Sequence, residues 1–163
     1  MRFALAKKTW PIAKFHFPFK LMAHQLGGRR MGFLDSYAPQ IKSILRIVSG
    51  LLFFSVGLAK IAHFPLVPMF AEAKPFVGIE GWAGMIELVF GALIILGLYS
   101  RIAAFIASGE MAIAYFYGHW GLFTDTVHSA FPVQNGGATA ILYSFIFLYF
   151  AASGPGPWAL NQR

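Results

Sequence analysis

The sequence predicts an all-α integral membrane protein, a bundle of four transmembrane helices with both chain ends on the cytoplasmic side (N-in/C-in). First, 58% of the 163 residues are hydrophobic and 12% are charged, whereas soluble domains carry about 25% charged residues. Second, four apolar segments each approach the roughly 20 residues that a helix needs to cross bilayer hydrocarbon. Third, these segments contain isolated polar residues, not the continuous polar stripe that is typical of a helix in a soluble bundle.

We place the four spans at about residues 41–62, 81–99, 101–118 and 136–153, with a tight turn at Ser100–Arg101 between the second and the third. Their orientation follows from the basic residues, which are enriched in cytoplasmic segments. Most of the thirteen Lys and Arg residues precede or begin the first span, and the connection between the third and fourth spans has none. We therefore expect a multi-pass membrane protein, with that connection on the side away from the cytoplasm.

The chain divides into a basic, aromatic and amphipathic N-terminal arm, residues 1–40, and a four-helix domain, residues 41–163. Pro11 and Pro18 prevent one continuous helix in the arm. The arm is predicted to contact anionic lipid headgroups or a partner protein, and no nucleic-acid recognition motif accompanies its charge. The absence of cysteine removes disulfides and thiolate metal sites.

The charged residues of the spans fall on faces rich in small residues. In the first span, a spacing of three and four residues places one set of side chains on a single face: Arg46, Gly50, Phe53, Gly57 and Lys60. In the second span, the corresponding set is Gly84, Glu87 and Gly91. In the third span, it is Ala103, Ala107, Glu110, Ala114 and Tyr117. Small residues let helices approach closely in lipid, so these faces are predicted to point inward.

Each buried charge needs a partner, because an unpaired charge at the bilayer centre costs at least about 2.5–3.5 kcal/mol. Depths calculated from the rise of about 1.5 Å per residue place Lys60 near Glu87, and Arg46 near Glu110. The same rise separates the two carboxylates by about 6 Å along the membrane normal, which suits a relay through water. Two interpretations stay open: structural ion pairs, or proton transfer with Glu87, Glu110 and Lys60 as candidate catalytic residues.

The outer ends of the spans carry a second candidate site. His119, Trp120, Asn135 and Tyr115 are candidates to enclose a quinone headgroup or a lipid, although aromatic residues at this depth commonly serve as interface anchors. His63 and His119 end the first and third spans, and two facing histidines can hold haem. Nothing in the sequence fixes their separation, so we predict no metal site.

Four stretches resemble the DoxX family of small bacterial membrane proteins. They are ILRIVSGLLFFSVGLAKI at 44–61, GMIELVFGALIILGLYSRIAA at 84–104, NGGATAILY at 135–143 and GPGPWALN at 154–161. Lys60, Glu87 and His119 stand where the family pattern has the same residue types. The family commonly has a glutamate after Asn-Gly-Gly in the fourth span, where this chain has Ala138.

The resemblance implies a four-helix inner-membrane protein, and some family members are subunits of quinone-reducing or redox-defence complexes. Three functions are compatible with it: a mainly structural subunit of a redox-linked complex, a quinone-reducing oxidoreductase subunit that moves protons through its carboxylates, and a binder of lipid or small solutes. We expect the first, because the sequence contains no strong catalytic constellation. The expected partners are the bilayer and other subunits or a second copy, and quinone is the candidate cofactor.

Overall fold

In the computed structural model, residues 32–161 are described, and within them the chain is helical with no β-strand. Residues 1–31 of the predicted arm lie outside the described residues. The short helix α1, Gly32–Asp35, belongs to a unit of its own, and the following paragraphs concern the unit that begins at Ser36. Its helices are α2 (Ala38–Ile61), α3 (Gly78–Leu96), α4 (Ser100–Ile113), α5 (Pro132–Asn135) and α6 (Ala138–Ser153).

The four longer helices, α2, α3, α4 and α6, correspond to the four predicted spans. Two of them, α2 and α3, are long and apolar enough to cross a membrane, with mean hydropathies of 1.9 and 1.8. Helix α4 continues into a π-helical segment, Ala114–His119, and α6 is a shorter apolar helix of 16 residues. The all-helical class is therefore confirmed for the described residues.

The turn between α3 and α4 lies at residues 97–99, so its predicted position at Ser100–Arg101 is wrong. Gly97 ends α3 in the left-handed conformation (φ +73°). Its N–H donates to the carbonyl of Ile94, and the N–H of Leu98 donates to that of Leu93. This double closure is the Schellman motif, which satisfies carbonyls at a helix end. Ser100 and Arg101 consequently begin α4.

Glycines bring the backbones of α2 and α3 into close contact. A Cβ atom on Gly57 would lie 2.7 Å from the backbone N of Leu88 and 2.8 Å from Cβ of Glu87. A Cβ atom on Gly84 would lie 2.9 Å from Cβ of Lys60. Neither contact is tolerable for a larger residue, so the predicted inward faces of these two helices are confirmed, and this contact sets Lys60 opposite Glu87.

Helix α4 presents small residues to the aromatic face of α6. Ala103, Ala104 and Ala107 are fully buried in one cluster with Phe147 and Phe150. In α2, Phe53 joins this cluster through an edge contact with the ring of Phe147, at 4.9 Å between centroids. These contacts place α2, α4 and α6 around a shared core.

The prediction of the inward face of the third span is wrong at the end of that span. Tyr117 is 38% exposed, whereas Tyr115 is 7% exposed and packs inside. The π-helical segment adds a residue to the turn and rotates the following side chains relative to an α-helix. A spacing rule based on 3.6 residues per turn therefore selects the wrong tyrosine.

The outer surface of the helices is apolar. The exposed face of α2, for example, presents Ile41, Ile44, Leu45, Val48, Leu51, Leu52 and Val56. Two of the three charged side chains of this helix, Arg46 and Lys60, are buried. This arrangement reverses that of a soluble protein and suits a surface in contact with hydrocarbon.

The helical unit that begins at Ser36 has two ends that differ in charge. We call "basic end" the end at which α2 and α4 begin and α3 and α6 finish, where Lys42, Arg46 and Arg101 lie. We call "loop end" the opposite end, where Lys60 and Glu80 meet and where His119 contacts Asn135.

Candidate functional site: a buried ion pair and two orphaned carboxylate oxygens

The candidate site centres on an ion pair between α2 and α3. Nζ of Lys60 lies 2.9 Å from Oε1 of Glu87. Lys60 is 7% exposed and Glu87 is 1% exposed. Lys60 occupies the last turn of α2, and Glu87 lies in the middle of α3, on the face that Gly84 and Gly91 also share. The structure thus brings together the two residues that the helix rise places at a similar depth.

Lys60 has a second acidic neighbour, Glu80, that the sequence analysis missed. Its Oε2 lies 3.3 Å from Nζ of Lys60, and its side chain is 55% exposed. Glu80 precedes Glu87 by seven residues, which is two helical turns, so both lie on one face of α3. The spacing of seven residues could therefore have identified Glu80 from the sequence. Lys60 lies between an exposed carboxylate and a buried one.

An aromatic ring covers the lysine. Nζ of Lys60 lies 5.2 Å from the ring centroid of Phe70, within the range of a cation–π contact. Phe70 ends a 3₁₀ turn, Pro68–Phe70, in the connection between α2 and α3. This connection therefore limits the access of solvent to the ammonium group from the loop end.

Two carboxylate oxygens are buried without a hydrogen-bond donor in the described part of the chain. They are Oε2 of Glu87 and Oε2 of Glu110. Glu110 lies within electrostatic range of both Lys60 and Glu87. Buried polar atoms without partners are costly and uncommon in folded proteins, and ionisable groups within membrane spans are functional candidates by default.

The predicted pair of Arg46 with Glu110 is wrong. Arg46 is fully buried, and its guanidinium donates to backbone carbonyls at the basic end. Nη1 donates to Ile94 and Ile95 at 2.5 and 2.7 Å, Nη2 to Trp158 at 2.5 Å, and Nε to Pro155 at 3.0 Å.

The last carbonyls of a helix lack partners within the helix, and the five-donor fork of arginine can satisfy several at once. Arg46 therefore stabilises the end of α3 and the C-terminal segment. The helix rise fixes depth but not the direction in which a side chain points, and so the predicted pairing failed.

At the loop end, the four predicted pocket residues lie near one another. Nδ1 of His119 lies 3.0 Å from the carbonyl oxygen of Asn135. The hydroxyl of Tyr115 donates to the carbonyl of Ala130 at 2.7 Å, and its ring lies 6.3 Å from that of Trp120. The aromatic rings are thus held against one another.

The adjacent cleft, of about 340 Å³, is polar. It is lined by Gly118, His119, His128, Ser129, Gln134 and Asn135. Tyr115 and Trp120 are not part of this lining. The sequence analysis missed His128 and Gln134, because they lie in a connection and at a short helix, where no periodicity marks them.

Ala138 stands where the family commonly has a glutamate. It is the first residue of α6 and is exposed. It therefore lies at the loop end, at the start of a helix, and not beside the buried core of the molecule.

A helical chain with an apolar outer surface and a charge pair sealed between two of its helices is a helical membrane protein. Residues 41–120 match the sequence model of the DoxX family. An uncharacterized protein of Haemophilus influenzae is 42% identical over 133 residues, a match that covers 82% of this chain and 97% of the relative. The chain belongs to the DoxX family. No solved structure matches it.

Proposed function

We propose that this protein is a four-span subunit of a redox-linked complex in the bacterial inner membrane and that its role there is mainly structural. The observation that carries the proposal is the buried pair of Lys60 and Glu87, locked between α2 and α3 by Gly57 and Gly84. A polar pair in hydrocarbon fixes the register and rotation of two helices, because any slip separates the charges. The redox assignment rests on the resemblance to DoxX proteins.

Contacts at the basic end support four spans. Lys42 at the start of α2 donates to Ser153 at the end of α6, and Arg101 at the start of α4 donates to Ala152. The helices therefore alternate in direction along the chain. Helix α6 has 16 residues, or about 24 Å of rise, and local thinning of the bilayer accommodates a span a few ångströms short of the hydrocarbon.

Extraction in a gentle detergent, followed by native mass spectrometry of the full chain, tests the structural role. We expect the chain to remain bound to at least one further protein subunit. A monodisperse chain that carries only lipid or small solute would contradict the proposal and favour the lipid-binding alternative. A monodisperse chain with nothing bound would contradict both.

A second function, proton transfer to a quinone, is favoured by the orphaned oxygens of Glu87 and Glu110. Reduction of a quinone to a quinol takes up two electrons and two protons. In this hypothesis another subunit delivers the electrons, and Glu80, Glu87 and Glu110 form a line of carboxylates that passes protons from the surface at the loop end. Quinone is then the bound cofactor, near His119 and Asn135.

A substitution at Glu110 tests this second function. In Glu110→Gln the side chain keeps its size and loses its proton exchange, so we expect quinone reduction by the purified complex to fall at least tenfold, since proton-transfer groups contribute about 10²–10⁴-fold. Glu72→Gln, at an exposed acid of the connection between α2 and α3, is the matched control and should leave the rate unchanged. Equal rates in both variants would exclude Glu110 from proton transfer.

A further inference from the structure

The basic end contains a cleft that the proposed function does not use. It has a volume of about 200 Å³ and lies between the first turns of α2 and α4 and the end of α6. Its lining is Lys42, Arg101, Ser153, Gly154, Pro155 and Gly156. Two of these residues are cations and none is an acid.

Both cations keep hydrogen-bond donors that the described residues do not use. Nη1 of Arg101 donates to the carbonyls of Ala151 and Ala152, at 3.1 and 2.7 Å, while its Nε and Nη2 make no hydrogen bond within residues 32–161. Nζ of Lys42 donates to the carbonyl of Ser153 at 2.6 Å, which occupies one of its three N–H groups. Neither side chain has an acidic partner in the same part of the chain.

The balance of charge in the cleft is positive. The C-terminus of a helix such as α6 carries about −0.5 of an elementary charge, against two full positive charges on Lys42 and Arg101. A third cation, Arg46, binds the carbonyl of Pro155 from the buried side. The carbonyls therefore orient the cations but do not neutralise them.

Gly154 keeps the arginine accessible. Its backbone has φ +80° and ψ 176°, a conformation that glycine alone adopts readily. A Cβ atom there would lie 3.1 Å from Nη2 of Arg101 and 3.5 Å from Cζ. Any side chain at this position would cover the guanidinium, so the glycine leaves the free edge of Arg101 open to a ligand.

We propose that this cleft binds a phosphate group and that the group is the headgroup phosphate of an anionic phospholipid. A guanidinium with two free N–H groups on neighbouring nitrogens matches the oxygens of a phosphate, and the ammonium of Lys42 supplies a second point of charge.

The surroundings favour a lipid over free phosphate. Ile102, the next residue after Arg101, and Phe105, about one helical turn after it, are exposed on α4 and offer an apolar surface to acyl chains. Lys42 lies 5.7 Å from the ring centroid of Tyr149, and this ring is half exposed, as aromatic residues at the membrane interface commonly are.

Thermal unfolding of the full chain in a neutral detergent tests the proposal, with three additives compared: short-chain phosphatidylglycerol, diacylglycerol of the same chain length, and inorganic phosphate. We expect a saturable rise of Tm with phosphatidylglycerol and none with diacylglycerol, which lacks the phosphate. A rise with inorganic phosphate at equal or lower concentration would keep the phosphate site but assign it to the free ion.

Variants at the two cations locate the site. Each Lys or Arg near an anionic lipid contributes about 1 kcal/mol, which corresponds to a factor of about five in Kd, so Lys42→Gln and Arg101→Gln should each weaken binding about fivefold. Lys74→Gln, at an exposed lysine of another connection, should leave Kd unchanged. If Arg101→Gln fails to fold, Lys42→Gln and Arg101→Lys still report on the site. Binding of equal strength in all variants, or to diacylglycerol, would overturn the proposal.

Discussion

At the scale of the residue, the two buried cations of α2 have different kinds of partner. Lys60, a compact ammonium, pairs with one buried carboxylate, Glu87. Arg46, a planar fork, binds four backbone carbonyls and no acid in the described part of the chain. The geometry of the two side chains accounts for this division, since a guanidinium can serve several acceptors in one plane. Exchanging either residue for the other type would therefore not be conservative.

The pair of Lys60 and Glu87 yields a prediction about stability. Lys60→Met leaves the carboxylate of Glu87 buried without its cation and should lower the free energy of unfolding by about 3–5 kcal/mol. The double variant Lys60→Met/Glu87→Met removes both charges and should recover most of that loss, because an apolar pair of similar volume is tolerated between buried helices. Reversible unfolding in mixed micelles measures both values.

Lys74→Met is the control for the single and double variants of Lys60 and Glu87. Lys74 is exposed, so its replacement should change the free energy of unfolding by no more than about 0.5 kcal/mol. A double variant as unstable as Lys60→Met alone would show that the loss comes from packing around residue 60 and not from the orphaned charge.

At the scale of the element, hydrophobicity and spacing were sufficient to place the helices and the inward faces of the first two spans. The bounds of α2, α3 and α6 lie within three residues of the predicted spans, because a run of apolar residues must end where polar groups and glycines appear. Glu87 was identified for the same reason, as the one charge between Trp82 and Ser100. The sequence analysis missed two features of local backbone geometry. One is the Schellman turn at Gly97, and the other is the π-helical segment, which turns Tyr115 inward and leaves Tyr117 exposed.

For the candidate site, the sequence predicted the depth of each residue along its helix but not which residues of neighbouring helices meet. Spacing shows which residues share a face, and rise shows their depth, so Lys60 and Glu87 could be matched. Neither quantity fixes the rotation of one helix against another, and this rotation decides that Arg46 meets the carbonyls of Ile94 and Ile95 instead of Glu110. The residues of the clefts, such as His128 and Gly154, lie in connections whose path no periodic pattern describes.

The contact between α2 and α3 gives a prediction at this scale. Gly57→Ala would place a methyl group within 3 Å of the backbone of α3, so the two helices must separate or rotate. We expect a loss of about 1–3 kcal/mol in the free energy of unfolding and a longer distance between Lys60 and Glu87. Thermal unfolding of the purified chain in one detergent measures the loss.

Gly109 provides the matched control within the same chain. It lies in α4, and a Cβ atom there would meet nothing within 4 Å. Gly109→Ala should be neutral or stabilising by up to about 1 kcal/mol, because alanine favours a helix more than glycine does. If the two substitutions have equal effects, close contact between α2 and α3 does not hold the pair together.

At the scale of the whole molecule, the charges are divided between the two ends. The basic end holds Lys42, Arg46 and Arg101 and no acid within residues 36–161, whereas the loop end holds the acids Glu72, Glu80 and Asp125 as well as Lys60 and Lys74. Such asymmetry orients membrane proteins, since basic segments are retained in the cytoplasm. The same asymmetry would bring the phosphate cleft to the leaflet that is richer in anionic lipid.

This orientation can be tested directly because the chain contains no cysteine. Single cysteines introduced as Asp125→Cys at the loop end and Leu160→Cys in the C-terminal segment report on the two sides, and both positions are exposed. We expect a membrane-impermeant maleimide to label residue 125 in intact spheroplasts and residue 160 only after permeabilisation. Leu52→Cys, on the apolar outer face of α2, should resist the reagent in both conditions, because a thiol in hydrocarbon does not ionise to the reactive thiolate. Labelling of residues 125 and 160 from the same side would require an even number of crossings between them and rule out the four-span arrangement. Labelling of residue 52 in intact cells would show that α2 does not cross the bilayer.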